Sequence, residues 1–230
     1  MCIGRNLKSF LKIILGLFIT IQLYFFVQVV WYSEFNPKET AFMHAEKNRL
    51  SSLNPPRAII KQWVPYEKMS LSIKQAVIAS EDANFTVHDG VDWDALEKAA
   101  KENATQGKIK RGGSTITMQL SKNLFLSAQQ SYIRKAQEMI ITGMLEVVLS
   151  KKRILEIYLN VAEWGVGIFG IEAAARHYFG IPASQLSSQQ AAWLAAILPA
   201  PRRFDQMRNS SIATHKANII LYRMRLVNTP

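Results

Sequence analysis

Leu71-Ser72-Ile73-Lys74-Gln75-Ala76-Val77-Ile78-Ala79-Ser80-Glu81-Asp82-Ala83-Asn84-Phe85-Thr86-Val87-His88-Asp89-Gly90-Val91-Asp92 reads as a helix running into a glycine turn. Ser72 and Gln75 have the spacing of a capping box, which predicts a helix over Lys74 to Asp82. Glu81 then sits near the helix C-terminus, where the negative end of the macrodipole disfavours a second negative charge. Its carboxyl pKa is expected to rise, which suits proton transfer near neutrality, although a surface carboxylate would satisfy the same pattern.

Further along the chain the same helical grammar repeats. Ser187 and Gln190 form a second capping-box pair before an Ala-rich run that stops at Pro199. Ile133, Ala136, Ile140, Met144, Val147 and Val148 recur at three- and four-residue spacing and are expected to be the core face of a long helix. Leu120, Leu124, Phe125 and Leu126 make a shorter apolar patch that suits either core or membrane contact. A mainly α domain over residues 70–230 follows, with no internal repeat. Toward the N-terminus, residues 34–69 hold Pro37, Pro55, Pro56 and Pro65 and little periodicity, as a connecting segment packed on that domain would.

Residues 13–33 carry no charge and are dominated by Ile, Leu, Phe and Val, long enough at about 1.5 Å rise per residue to cross a ~30 Å hydrocarbon core. Arg5, Lys8 and Lys12 precede this run, and Trp31 and Tyr32 close it at the level aromatic side chains favour. Residues 1–12 are therefore expected in the cytoplasm and everything after residue 33 outside it. A cleaved signal peptide fits less well, because the run is long and no small-residue cleavage site follows it closely. Cys2 is the only cysteine, so the fold has no internal disulfide. The formal charge of +11 calls for an anionic partner, and placement outside the cytoplasm favours a phosphorylated lipid over nucleic acid.

Four further blocks stand out. Arg111-Gly112-Gly113-Ser114-Thr115-Ile116-Thr117-Met118-Gln119-Leu120-Ser121-Lys122-Asn123 places paired glycines before hydroxyls and a helix, a turn able to present N–H groups to an anion or simply a capped helix start. Arg134-Lys135-Ala136-Gln137-Glu138 puts a carboxylate one turn after two cations, where an ordinary salt bridge would also suffice. Lys151 to Asn160 and Glu163 to Gly180 read singly as amphipathic helices and turns. Charge is segregated: Glu81 to Glu102 holds seven acidic and two basic residues, Thr105 to Asn160 nine basic and three acidic. If the two meet in a cleft, carboxylates that move protons would lie beside cations that hold phosphate.

In this order the five blocks, spanning Leu71 to Pro201, resemble the peptidoglycan glycosyltransferase family. The closest likeness is to its monofunctional biosynthetic members, with one anchor and no transpeptidase domain. The resemblance implies a mainly α, lysozyme-like glycosyltransferase domain behind one N-terminal transmembrane helix. It implies that lipid II is polymerised into β-1,4-linked strands, with inversion at the donor anomeric carbon and release of undecaprenyl diphosphate. Glu81 matches the catalytic base that takes the acceptor 4-hydroxyl proton, and Glu138 the second catalytic glutamate, a supporting residue and tentative ligand for Mg²⁺ or Mn²⁺. Arg111, Ser114, Thr115, Gln119, Lys122, Asn123, Arg134 and Lys135 match substrate and diphosphate positions; His88 reads as structural. Met118 departs from the glutamine common there. No organic cofactor is implied.

The partners implied are lipid II, the growing lipid-linked glycan, the membrane and, beside them, transpeptidases or division proteins, with no nucleic acid. The site of action implied is the inner (cytoplasmic) membrane, single-pass, with the catalytic domain periplasmic. Two other readings compete. A lysozyme-type glycan-cleaving enzyme would use Glu81 as an acid but has no need of the basic cluster. A non-catalytic membrane-anchored scaffold would need neither Glu81 nor Lys122. Residues 205–230 read only as a terminal helix and tail.

Overall fold

The computed structural model describes residues 3–106, 113–127, 129 and 131–230. Its first helix, α1 (Ile3–Glu34), is apolar from Lys8 to Glu34 with only 6% of its most apolar window buried, as a membrane span requires. The domain that follows is mainly helical: α2 (Ala41–Ser51), α3 (Leu71–Glu81), α4 (Trp93–Gln106), α5 (Ile116–Phe125), α6 (Tyr132–Val148), α7 (Lys151–Val161), α8 (Ile171–Phe179), α9 (Ser188–Ile197), α10 (Pro201–Gln206) and α11 (Ser211–Arg223). A small sheet has the order β1 (Ile60–Lys61), β3 (Ile168–Phe169), β2 (Glu163–Gly165), with β1 parallel and β2 antiparallel to β3.

The cap of α3 differs from the expected one. Ser70, not Ser72, accepts the Ile73 N–H, so the helix starts two residues before the Ser72–Gln75 pair could cap it. Ser72 lies in the first turn, its hydroxyl 3.1 Å from that of Ser188. The Ser187–Gln190 box does form at the head of α9. That helix, with four alanines among its ten residues, packs between α3 and α11, and its side chains from Ala191 to Ile197 supply much of the core. α5 packs on α6 and α7.

The apolar stripe of α6 lies on the outside of the domain, contrary to expectation. Ile133 is 85% and Val147 84% exposed, Ala136 and Ile140 are exposed, and only Met144 and Val148 pack partly against the core. The buried side carries Glu138, Ile141, Thr142 and Leu145 instead. Periodicity identifies an apolar face without saying whether protein or lipid covers it, and this face runs beside α1, which packs along α6. Of the Leu124–Leu126 patch, Leu124 is core, whereas Phe125 and Leu126 are half-buried and Phe125 sets its ring 5.5 Å from that of Phe25 on α1.

Residues 34–69 join the domain through β1 and through the amide of Asn160, which is wholly buried on α7. Its Oδ1 accepts the Val64 N–H at 2.9 Å and its Nδ2 donates to the Val64 carbonyl at 2.9 Å. Gly170, which caps α8, is required next to it. Its φ of +84° excludes most side chains, and a Cβ there would lie 2.8 Å from the Asn160 carbonyl oxygen. The anchor joint is also tied, because Arg153 of α7 donates to the carbonyls of Tyr32 and Phe35 at the end of α1.

Candidate active site

Glu81 ends α3, with its Oε2 accepting from Gln119 Nε2 at 2.8 Å and its Oε1 from the Ser80 hydroxyl at 3.3 Å. Gln119 lies one turn into α5, and its own Oε1 accepts from the Tyr158 hydroxyl at 2.9 Å. Burial, reinforced by the charges of Glu81 and Asp82, pushes the Tyr158 phenol well above its ordinary value. The phenol is therefore always a donor, which fixes the Gln119 amide with its NH₂ toward Glu81. Burial also pushes the Glu81 carboxyl up; the bonds from Gln119 and Ser80 and the charge of Lys216 pull part of that rise back. The result is a positioned carboxyl with a raised affinity for a proton, a property shared by general bases and acids.

Asp82 holds this carboxyl in place by joining two helices. Its Oδ2 accepts the Ile116 N–H at the head of α5 and its Oδ1 contacts His88 Nε2 at 2.9 Å. Gly90 donates its N–H to His88 Nδ1, so Nε2 carries the ring proton and donates to Asp82. Thr115 caps α5 by accepting the Met118 N–H, and its hydroxyl donates to the Gly90 carbonyl at 2.5 Å. The structure thus places Thr115 and His88 in the frame of the cleft. Met118 is buried.

The cations cluster on α6 and α5. Arg134 and Lys135 each donate to one oxygen of the buried Glu138, at 2.7 and 2.5 Å, and Lys135 also reaches the Ser114 hydroxyl at 3.3 Å. The buried Nε of Arg134 has no partner among the described residues. Lys122 stands on α5 over the Phe42 ring, 5.4 Å from its centroid, and pairs with no carboxylate among the described residues. Burial lowers its pKa, the charges of Glu138 and Glu81 raise it, and those of Arg134 and Lys135 lower it. Asn123 is half-buried on the same helix, whereas Arg111 lies outside the described residues. Gly113 is pressed against α4, where a Cβ would meet the Leu96 side chain at 2.7 Å.

As a metal site the donor set fits poorly. Each oxygen of Glu138 is already taken by a cation, and no group of three or more His, Cys, Asp or Glu residues suited to a metal occurs among the described residues.

Two cavities open onto Glu81. One, of 180 Å³, is bounded by Asp82, Asn84, Asp92, Ser114 and Thr115. The other, of 260 Å³, lies between α9 and α11 and is lined by Ala196, Pro199, Ile219, Ile220 and two cations, Lys216 and Arg223. Sequence reading passed over Lys216, Arg223 and Tyr158. The first two do carry a signal, a seven-residue spacing that puts them on one face of α11 with Ile219 and Ile220. Tyr158 looks like any aromatic of an amphipathic helix.

Comparison with known proteins gives this arrangement a lineage. A family profile described as Transglycosylase matches residues 46–225. A biosynthetic peptidoglycan transglycosylase of Herminiimonas arsenicoxydans is 52% identical over 214 residues, covering 93% of each chain. Proteins of the same name from Bordetella pertussis and Burkholderia multivorans are 50% and 53% identical, covering 98% and 91% of this chain and 95% and 85% of their own. With the family profile spanning most of the chain, and such relatives matching nearly all of it, the chain belongs to the transglycosylase family.

Proposed function

We propose that this protein is a peptidoglycan glycosyltransferase that polymerises lipid II into β-1,4-linked glycan strands with inversion and release of undecaprenyl diphosphate. One observation carries the reading: Ser114 lines the cavity that opens onto Glu81 and accepts a hydrogen bond from Lys135, which also pairs with Glu138, so the cation group adjoins the cavity of a proton-accepting carboxyl. Glu81 takes the proton of the acceptor 4-hydroxyl, the freed oxygen attacks the anomeric carbon of the growing strand, and the bond to diphosphate breaks. The charge arriving on the diphosphate is met by Lys122, Arg134 and Lys135, with Ser114 and Asn123 beside them; Arg111, by the family's pattern, serves the same diphosphate. Gln119 orients the base, Thr115 holds the head of α5, and Glu138 keeps Arg134 and Lys135 aimed into the cleft.

A membrane-borne substrate fits the exterior of the domain. Tyr132, Ile133 and Val147, all more than 80% exposed, stand on the outer face of α6 beside the membrane-spanning helix, where lipid covers them. Lys8 and Lys12 at the start of that helix favour a cytoplasmic N-terminus and hence a periplasmic domain on the inner membrane. Strands made there meet the transpeptidases that cross-link them. The test is polymerisation of purified lipid II by the full chain, wild type beside Glu81→Gln, with products resolved by length. Strand growth by wild type and its loss in a folded variant support the reading; shortening of added glycan points to a hydrolase, and equal activity of the two proteins overturns the role of Glu81.

A further inference from the structure

Gln22 is the polar residue at which α1 touches the helix of the diphosphate cluster. Counted at about 1.5 Å per residue, it lies roughly 21 Å from Lys8 and 18 Å from Glu34, close to the middle of the apolar helix. Its amide bonds reciprocally to that of Gln137 on α6: Gln22 Nε2 donates to Gln137 Oε1 at 3.0 Å and Gln137 Nε2 donates to Gln22 Oε1 at 2.9 Å. Gln137 is flanked by Arg134, Lys135 and Glu138. The remaining α1 contacts on this side come from Phe25 and Tyr32, half-buried aromatics, and from Val29, wholly buried in the core.

A reciprocal amide pair adds a directional constraint to this packing. A shift of α1 by one residue moves Gln22 by about 1.5 Å along the axis and 100° around it, which breaks both bonds. We infer that Gln22 and Gln137 form a register clamp that fixes the helix bearing Arg134, Lys135 and Glu138 at one height on the membrane anchor, and so act as positioning residues for a lipid-linked substrate. The Arg153 bonds to the end of α1 hold the joint, and the amide pair holds the depth. This inference rests on the glycosyltransferase reading only for the word substrate; the clamp itself is a statement about height.

The experiment uses the full chain in phospholipid vesicles with Cys2→Ser and Ile140→Cys, a nitroxide on residue 140 reporting depth by its collisions with oxygen against a water-soluble nickel chelate. Gln22→Leu/Gln137→Leu is compared with the parent, because the double change leaves neither amide stranded in lipid. The double variant is expected to keep the parent's melting temperature in detergent yet show a shifted or broadened label depth. Its KM for membrane-borne lipid II should rise by about threefold or more while kcat stays within about twofold. Unchanged label depth overturns the clamp, and a shifted depth with unchanged KM overturns its positioning role. Inactivity of every protein including the parent counts against the polymerase reading and leaves the depth result standing.

Discussion

Tyr158→Phe removes one hydroxyl and almost no volume from a fully buried site, and its effect should appear two hydrogen bonds away. Without the phenol, Gln119 Oε1 has lost its donor, and the amide is free to turn its oxygen toward Glu81, where it repels the carboxylate. A hydrogen bond to a charged group is worth about 1.5–3 kcal/mol net, so at 1.36 kcal/mol per factor of ten kcat should fall roughly 10- to 100-fold. Because the Gln119 bond favours the ionised form, its loss drives the Glu81 pKa further up. The base is then ionised over less of the pH range, and the acidic limb of the kcat profile moves to higher pH. The assay is lipid II polymerisation from about pH 5 to 9 for wild type, Tyr158→Phe, Gln119→Met and the double variant. If both residues act through one relay, Tyr158→Phe in the Gln119→Met background should cost less than about 0.5 kcal/mol more. Additive losses, or an acidic limb that stays in place, would refute the relay.

Glu81→Gln should raise the melting temperature at pH 8 by about 2–4 °C for each kcal/mol of relieved desolvation. The raised folded-state pKa means wild type loses stability as pH climbs through it, so the gap should close as pH falls below the ordinary carboxyl value, and a gap constant with pH would count against a desolvated Glu81. Leu124→Ala should cost about 2–5 kcal/mol as a core deletion, whereas Val147→Ser on the lipid-facing side of α6 should change detergent stability by no more than about 0.5 kcal/mol; thermal denaturation of both decides whether those surfaces are assigned correctly.

Local grammar made the helices legible. The Ser187–Gln190 box, the proline stop after the Ala-rich run and the glycine turn after Glu81 each report on neighbouring residues, and the chain obeys them. The start of α3 departs from the sequence pattern because Ser72 has the capping-box spacing to Gln75, yet it is Ser70 whose N–H reaches the Ala183 carbonyl and whose hydroxyl caps Ile73. The stripe of α6 was legible as a stripe, but which solvent it faces depends on the anchor packed beside it. The site divides similarly. Glu81, Lys122, Arg134, Lys135 and Glu138 sit in ordered blocks that invite attention, and the fold links Lys135 to the Glu81 cavity through Ser114. Tyr158 acts through Gln119 from a different helix, and Lys216 reaches Glu81 only because α11 packs back across α9; both depend on tertiary contacts that a linear reading does not contain.

The bond between Val64 and Asn160 has a consequence for how the chain is made. Val64 finds its partner in Asn160, 96 residues further along. At a synthesis rate of about 5–20 residues per second, that partner emerges roughly 5–20 s after Val64 itself. For that interval the segment next to the anchor waits at the membrane surface with its backbone groups unpaired. It is then the stretch most open to a protease or a chaperone, until α7 arrives to close over it.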